Sequence, residues 1–563
     1  MGRRTRASWR LASGTGACAA ALLLTGMAAE ASETLLINGH IYTANPEAPW
    51  AQSVAISHGK IDAVGSNEAL QKYREGSTHV IDLHGRTVIP GIFDAHVHSM
   101  FGSMALHGLN LALPEESIWP DQPDELVARL KAYAGAHPSD KIIFVRAHFG
   151  TSGDSMPSHT LLDRAVSDRP VVVHNVSEHA LWLNGKALEL AGVTDKPVAN
   201  PIEEKYIVRE PNGAPRGVLL EASMELAERA VLRTLSTEDK LSLLRDGQHF
   251  LNSYGITSVV NATGNLAEIE LYAQLRDRHQ LTVRTRTAFG AVAVPVELTP
   301  AFMQDLETAR ERYHDAWVGA NLVKFFADGA TPSALHVYDP AQYHSLVREL
   351  DQKGFQVMTH ALRADNAHMV LDAYQQVEQE DGARDRRFRM EHADSLEEAD
   401  VARFGQLGVF PSMQPSFCCS VEKPGAEKGE RWHSLSASHA TLVFSSDWPC
   451  TWPPDPFVGI QQTVTRNGWS GRGYGAHQSG RTMTDQINAP EERITVRQAI
   501  DAYTRNAAYA SFRDREVGTL EAGKLADLVV LSQDIFSAKP LEISNTHATM
   551  TMVGGRVVYG KDP

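Results

Sequence analysis

Between residues 34 and 88 the apolar positions come in short runs: Leu35-Leu36-Ile37, Ile41-Tyr42, Ser53-Val54-Ala55-Ile56, Ile61-Asp62-Ala63-Val64 and Val80-Ile81-Asp82. Asn38-Gly39, His58-Gly59 and His84-Gly85-Arg86 separate them, the residue types that a hairpin turn requires. The C-terminal end repeats this texture, with Ala526-Asp527-Leu528-Val529-Val530-Leu531 followed by Met552-Val553-Gly554-Gly555-Arg556-Val557-Val558-Tyr559. Each β-rich end alone has little to bury its apolar face against. The pattern therefore predicts one small β-sandwich assembled from residues 32–88 and 511–563.

Between these ends, strand-like apolar runs at 142–145, 171–174, 257–260, 321–326, 356–360, 388–392, 409–413 and 442–446 alternate with amphipathic stretches such as 221–232 and 237–254. Alternation of this kind is the βα pattern of a parallel barrel. The expected fold class is thus α/β, a (β/α)8 TIM-like barrel over residues 89–510 with an insertion around 103–250.

The first residues read as a targeting signal. Arg3, Arg4, Arg6 and Arg10 form a positive start, residues 17–24 are apolar, and Ala29-Glu30-Ala31 is a small-x-small cleavage pattern. Cleavage after Ala31 would give a periplasmic or secreted protein. Arg3-Arg4 also raises a twin-arginine signal, although the residues around it match poorly. The apolar run is far shorter than the ~20 residues a membrane span needs. Loss of four Arg and Glu30 would shift the formal charge from −15 to −18.

Composition narrows the function classes. With 43% apolar and 21% charged residues, the chain of 563 residues is unlike a disordered protein, and 4 Cys are too few for a disulfide scaffold. The negative charge argues against a nucleic-acid partner, because phosphate binding needs clustered Lys and Arg. A small-molecule substrate is the expected partner, with no membrane span, and a homodimer is compatible with the sequence. Cys18 falls in the leader. Cys418, Cys419 and Cys450 remain, which allows one disulfide plus a leftover thiol, or three unpaired thiols near the barrel mouth.

The chemistry gathers where strand-like runs end. His96 and His98 are two apart, so on an extended strand both point to one face and can clasp one ion. Lys324 interrupts an apolar run, where burial without compensation is costly. His360, His392 and Asp447 each close a run. One His at a strand end is ordinarily structural. In a (β/α)8 barrel, however, the C-terminal strand ends converge on one mouth, so these six distant residues would meet there.

The order of these residues resembles the amidohydrolase superfamily of metal-dependent hydrolases, and the details resemble its YtcJ-like branch, which includes N-substituted formamide deformylase. The resemblance covers nearly the whole mature chain. It is carried by Val88-Ile89-Pro90-Gly91-Ile92-Phe93-Asp94-Ala95-His96-Val97-His98, Val323-Lys324-Phe325-Phe326-Ala327-Asp328-Gly329-Ala330, Met413-Gln414-Pro415, Ser446-Asp447-Trp448-Pro449, Ala507-Ala508-Tyr509-Ala510 and residues 518–529. Glu178-His179-Ala180-Leu181-Trp182-Leu183-Asn184 looks like that branch's insertion motif, with Glu178 where an Asp often stands.

The resemblance implies that His96 and His98 hold the more buried ion, that Lys324 bridges as a carbamate, and that His360 and His392 hold a second ion. Asp447 would be both a ligand and the group that takes a proton from the attacking water and passes it to the leaving nitrogen. An unmodified Lys324 paired with Asp447 around a single ion is the alternative. The cofactor is a divalent metal, Zn²⁺ by default for imidazole-rich sites, with Mn²⁺ and Fe²⁺ compatible and one or two ions left open. His179, Gln414 and Trp448 are the substrate-binding candidates, each with a packing role as its alternative. Trp182, Trp432 and Trp452 would either wall a pocket or pack the core. Glu391 is expected to hydrogen-bond behind a ligand His. The activity implied is hydrolysis of a non-peptide amide, N-acyl or N-formyl C–N bond. Cyclic amides, esters or lactones could be cleaved by the same apparatus, and a non-catalytic binding barrel would have to have lost ligands that are all present here.

Overall fold

The computed structural model describes residues 33–112, 122–290, 295–331, 334–419, 430–470 and 482–561. The expected leader, residues 1–31, lies outside them. At the centre is an eight-stranded parallel sheet, β1 (Ile92–Val97), β2 (Ile256–Gly264), β3 (Arg284–Phe289), β4 (Val318–Phe326), β5 (Gln356–Ala361), β6 (Arg389–His392), β7 (Phe410–Met413) and β8 (Val443–Phe444), hydrogen-bonded in that order. Register opposes Lys324 to Met358, Phe326 to His360, and Ala361 to His392, which sets the candidate residues at one end of neighbouring strands. Beyond β8 the chain closes the seam against β1: the Asp447 N–H donates to the His96 carbonyl (2.8 Å), and the His98 N–H donates to the Trp448 carbonyl (2.7 Å).

Side chains fill the barrel as they would any core. Ala95, Val260, Ala262, Ala288, Leu322, Met358 and Val443 pack inside with Ala507, Ala508 and Ala510 of the helix Arg505–Ala510. That helix caps the N-terminal end: the Gln356 amide, at the first residue of β5, donates to the Ala510 carbonyl (2.7 Å).

Two expectations need correction. The runs at 142–145 and 171–174 are strands, Ile143–Ala147 and Val171–Asn175, but they belong to a separate six-stranded sheet in the insertion, completed by Leu109–Asn110, Ala180–Leu183, Ile207–Arg209 and Pro215–Leu220. Their apolar faces close over a core of their own, with Leu126, Leu130, Leu162 and Trp182. Conversely, β3 was not among the expected strands, because its sequence Arg-Thr-Arg-Thr hides a fully buried strand. Arg284 is tolerable there since Asp527 accepts from its Nε (2.6 Å) and Nη2 (2.9 Å).

The chain ends meet in one sheet. Leu528–Leu531 pairs antiparallel with Thr87–Pro90, placing Val529 opposite Ile89, and Ala548–Val553 and Arg556–Gly560 extend that sheet. A four-stranded sheet containing Thr34–Ile37 and Ser53–Ser57 shares its core: Leu36, Val54 and Ile56 pack with Leu528, Val530, Met550 and Met552. Cys418 and Cys419 are bonded to each other, and Cys450 is buried and forms no disulfide. Among the described residues no helix is long and apolar enough to cross a membrane.

Candidate metal centre

β1 carries His96, with His98 just beyond its end, β4 carries Lys324, β5 His360 and β6 His392, while Asp447 follows β8. The structure brings all six to one pocket of about 260 Å³, lined also by Ser177, Glu178, His179, Phe326 and Cys450. One ligand atom each of His96, His392 and Asp447 lies within 4.8 Å of the others. Asp447 Oδ1 is 3.5 Å from His96 Nε2 and 3.3 Å from His98 Nε2, and Lys324 Nζ is 3.2 Å from His96 Nε2. The ring of His360 sits 4.4 Å from that of His392, centre to centre.

The imidazoles are held from behind. His96 Nδ1 donates to Glu391 Oε2 (2.6 Å), which leaves Nε2 with its lone pair toward the pocket. Glu391 is itself gripped by Arg389, through Nε (2.9 Å) and Nη2 (3.0 Å). His392 Nδ1 donates to Gln414 Oε1 (2.7 Å), and His98 Nδ1 pairs with Thr263 Oγ1 (2.8 Å). His360 Nε2 lies 3.4 Å from Asp328 Oδ1 but makes no hydrogen bond. Asp94 braces the seam by accepting from the Ser446 N–H (2.9 Å).

Burial sets the charge states. Burial, reinforced by the Lys324 charge, holds His96 well below the ordinary imidazole range, and burial with His392 nearby does the same to His360. Burial brings His392 down to about 4 and Lys324 down to about 8. Asp447 moves oppositely: burial opposes its ionisation, but the imidazoles of His96, His98 and His392 hold it below the usual carboxylate range. Buried imidazoles beside a carboxylate whose Oδ1 is buried without a hydrogen bond are a donor set that fits a divalent cation. His392 (φ 70°) and Asp447 (φ 57°) reach this arrangement in left-handed backbone, at a cost on the order of 1–3 kcal/mol each.

His179 enters from the insertion, after the turn that follows Val171–Asn175. Its ring lies 5.4 Å from His360, and its Nδ1 donates to Glu221 Oε2 (2.6 Å). Burial opposes the charge on His179, but Glu221 outweighs it and raises the imidazole, while the same pairing lowers Glu221. Glu221 sits under Gly329, where any Cβ would come within 2.6 Å of its carboxyl group.

Two substrate-binding candidates are placed differently. Gln414 supports the back of His392 and does not line the pocket. The Trp448 ring fills a slot over Gly102, where a Cβ would lie 2.5 Å from it, and packs on Phe250 and Trp452. Trp182, Trp432 and Trp452 also stay out of the described pocket lining. Glu391 does what was expected of it. Glu221, Asp328, Asp94 and Arg389 were missed, although Asp94, Asp328 and Arg389 sit inside the motifs around His96, Lys324 and His392, and a charge embedded in an apolar run is the signal that marks them.

A parallel barrel with four histidines, a lysine and an aspartate gathered at its C-terminal mouth is the arrangement expected of a metal-dependent hydrolase. The chain belongs to the amidohydrolase family, whose model matches residues 79–559. It is 30% identical to Protein LONG AFTER FAR-RED 3 of Arabidopsis thaliana over 95% of this chain and 93% of that one. It is 25% identical to N-substituted formamide deformylase of Arthrobacter pascens, over 94% of this chain and 98% of the relative. An uncharacterized metal-dependent hydrolase from Pyrococcus horikoshii OT3 shares the fold, with a TM-score of 0.69 at 23% identity, covering 90% of this chain and 99% of that one.

Proposed function

We propose that the protein hydrolyses an amide-type C–N bond in a small N-acyl or N-formyl compound, not in a peptide chain, with Asp447 as proton carrier. The observation that carries this is the buried Asp447 carboxylate set with ligand atoms of His96 and His392 within 4.8 Å of one another at the barrel mouth. A divalent cation, Zn²⁺ by donor type, held by His96, His98, His360, His392, Lys324 and Asp447, would acidify a water and polarise the scissile carbonyl. Asp447 would accept a proton from the attacking water as the water oxygen bonds to the carbonyl carbon. It then delivers the proton to the nitrogen, so the amine leaves neutral and not as an amide anion. His179, oriented by Glu221, lines the pocket from the insertion and donates to the carbonyl oxygen as negative charge develops there.

A lysine near 8 is in part a free amine at neutral pH, the form that adds CO₂. The new N–C bond releases one proton and replaces a buried cation by an anionic oxygen ligand, which is why Lys324 is assigned as a carbamate. The formamide activity named for the Arthrobacter relative supports the choice of bond. The test is a panel of N-formyl, N-acyl, cyclic imide and ester compounds. Amine release from the N-formyl or N-acyl members is expected; cleavage confined to esters or cyclic imides overturns the proposal. Export belongs to the same proposal, and an N-terminus at Ser32 in protein isolated from whole cells checks it.

A further inference from the structure

The insertion meets the barrel mouth through two adjacent strands. On Ile143–Ala147 the residues alternate: Ile143, Val145 and Ala147 pack into the insertion's own core, so Phe144 and Arg146 face the barrel. Phe144 packs against the core around the barrel, and Arg146 is 2% exposed. Among the described residues no carboxylate bonds this buried guanidinium. Its Nη2 donates to the Cys450 carbonyl (3.2 Å), and its central carbon lies 5.7 Å from the centre of the Trp452 ring. Both contacts fall on the turn that begins at Asp447, in which the Cys450 N–H donates to the Asp447 carbonyl (2.7 Å). His174 stands directly opposite Arg146 on the neighbouring strand Val171–Asn175. Its Nδ1 bonds Glu178 Oε2 (3.2 Å), in the turn that leads to His179. The Cys450 thiol joins the two turns by donating to the Ser177 carbonyl (3.6 Å).

Asp447 and Glu178 both hold left-handed backbone (φ 57° in each), a conformation that persists only where its surroundings over-determine it. On its inner side the Asp447 turn is held by the end of β1, through the Asp447 N–H to the His96 carbonyl and the His98 N–H to the Trp448 carbonyl. On its outer side it is held by the insertion, through Arg146 and the Cys450 thiol. A buried guanidinium with no carboxylate bonded to it is unfavourable, and this one directs its contacts to a single turn. We propose that Arg146 is a positioning residue, which fixes the Asp447 turn against the insertion and so sets the proton carrier at its working distance from His179. This rests on the roles proposed for Asp447 and His179, which act on the nitrogen and the oxygen of one scissile group. A shift of about 1 Å in such a pair is enough to cost about 100-fold in rate.

The test is a double-substitution cycle on kcat, with Zn²⁺ in excess and the N-formyl or N-acyl compound that the wild type cleaves. Arg146→Met should lower kcat by about 10–100-fold and leave KM within about threefold of wild type, because Arg146 does not touch the substrate. Added to Asp447→Asn, the same change should alter kcat by less than about twofold, since Arg146 acts through the carrier. A residue that only supports the fold would lower kcat by the same factor in both backgrounds. Arg146→Lys keeps the buried charge but not the planar stack on Trp452, and should lower kcat by about fivefold or more. It decides by the same cycle if Arg146→Met does not fold, as read by its thermal melt. Folded variants with kcat within about twofold of wild type, or losses that multiply with that of Asp447→Asn, overturn the inference. The two proposals fail separately. Asp447→Asn with turnover close to wild type removes the proton carrier, whereas a large loss there with none in the Arg146 variants removes only the brace. If esters alone are cleaved, C–N hydrolysis is refuted and the same cycle on the ester still judges Arg146.

Discussion

The two ends of the barrel are made by the same strands yet handle buried charge in opposite ways. Around the N-terminal end, Arg284 is bonded to Asp527, Arg386 to Asp351 (2.9 Å), and Arg387 to Asp385 and Asp514 while lying 3.9 Å from the Tyr509 ring centre. The cavity there, lined by Arg384, Arg386, Arg387, His439 and Tyr509, is wider than the pocket at the mouth. At the mouth His96 and His392 are fixed by their outer nitrogens, burial holds both and His360 below the ordinary imidazole range, and Asp447 Oδ1 has no hydrogen bond. Volume marks where atoms are sparse. Unused bonding capacity, held rigid, marks where chemistry happens.

That contrast can be broken by experiment. Asp447→Asn should cut kcat/KM by about 10³-fold or more, since the proton carrier is lost at the reacting atoms. Turnover within tenfold of wild type would mean the mouth is not the site. Arg284→Met strands Asp527 uncompensated in the core and should cost about 3–5 kcal/mol in a urea titration, with kcat for the folded protein unchanged. A loss of turnover without a loss of stability would show the N-terminal end to be functional.

Glu391→Gln sharpens the comparison at the mouth. Without the carboxylate behind His96, metal affinity should fall about 10–100-fold, measured by competition with a chelator. The smallest effect concerns pH. His179 is raised above 6.5, so its share of the ion pair is present below 6.5 and fades as pH rises through its folded value. Glu221 is lowered below 4.5, so its share is present above 4.5 and fades as pH falls. The stability advantage of wild type over Glu221→Gln should therefore peak between pH 4.5 and 6.5, and melts across that range that run parallel would remove the ion pair from the account.

That the candidates would meet was legible because His96, His98, His360, His392 and Asp447 close apolar runs and Lys324 interrupts one, and the barrel predicts where such strands converge. The strands 143–147 and 171–175 were assigned to the wrong sheet because an apolar run carries no label for its neighbours. β3 was hidden because Arg284 and Arg286 read as surface until Asp527 and the Ser511 carbonyl, from the far end of the chain, are seen to meet them. Glu221 pairs with a histidine 42 residues away, across a strand pair that periodicity does not define. Trp448 looked like a pocket wall because its slot is made by Gly102 and Gly247, and the absence of a side chain is the weakest signal a sequence carries.

The seam of the barrel has a consequence for assembly. Asp94 and Ser446, bonded across it, are 352 residues apart, and His96 and Asp447 contribute donors from its two sides. An ion seated there acts as a clasp on a very long loop, whose closure entropy grows only slowly with its length. A nascent or half-unravelled chain holds the donors of one side only. Tight metal retention is thus a certificate that the last strand has docked, and the rate of ion uptake during refolding should report the final step of folding.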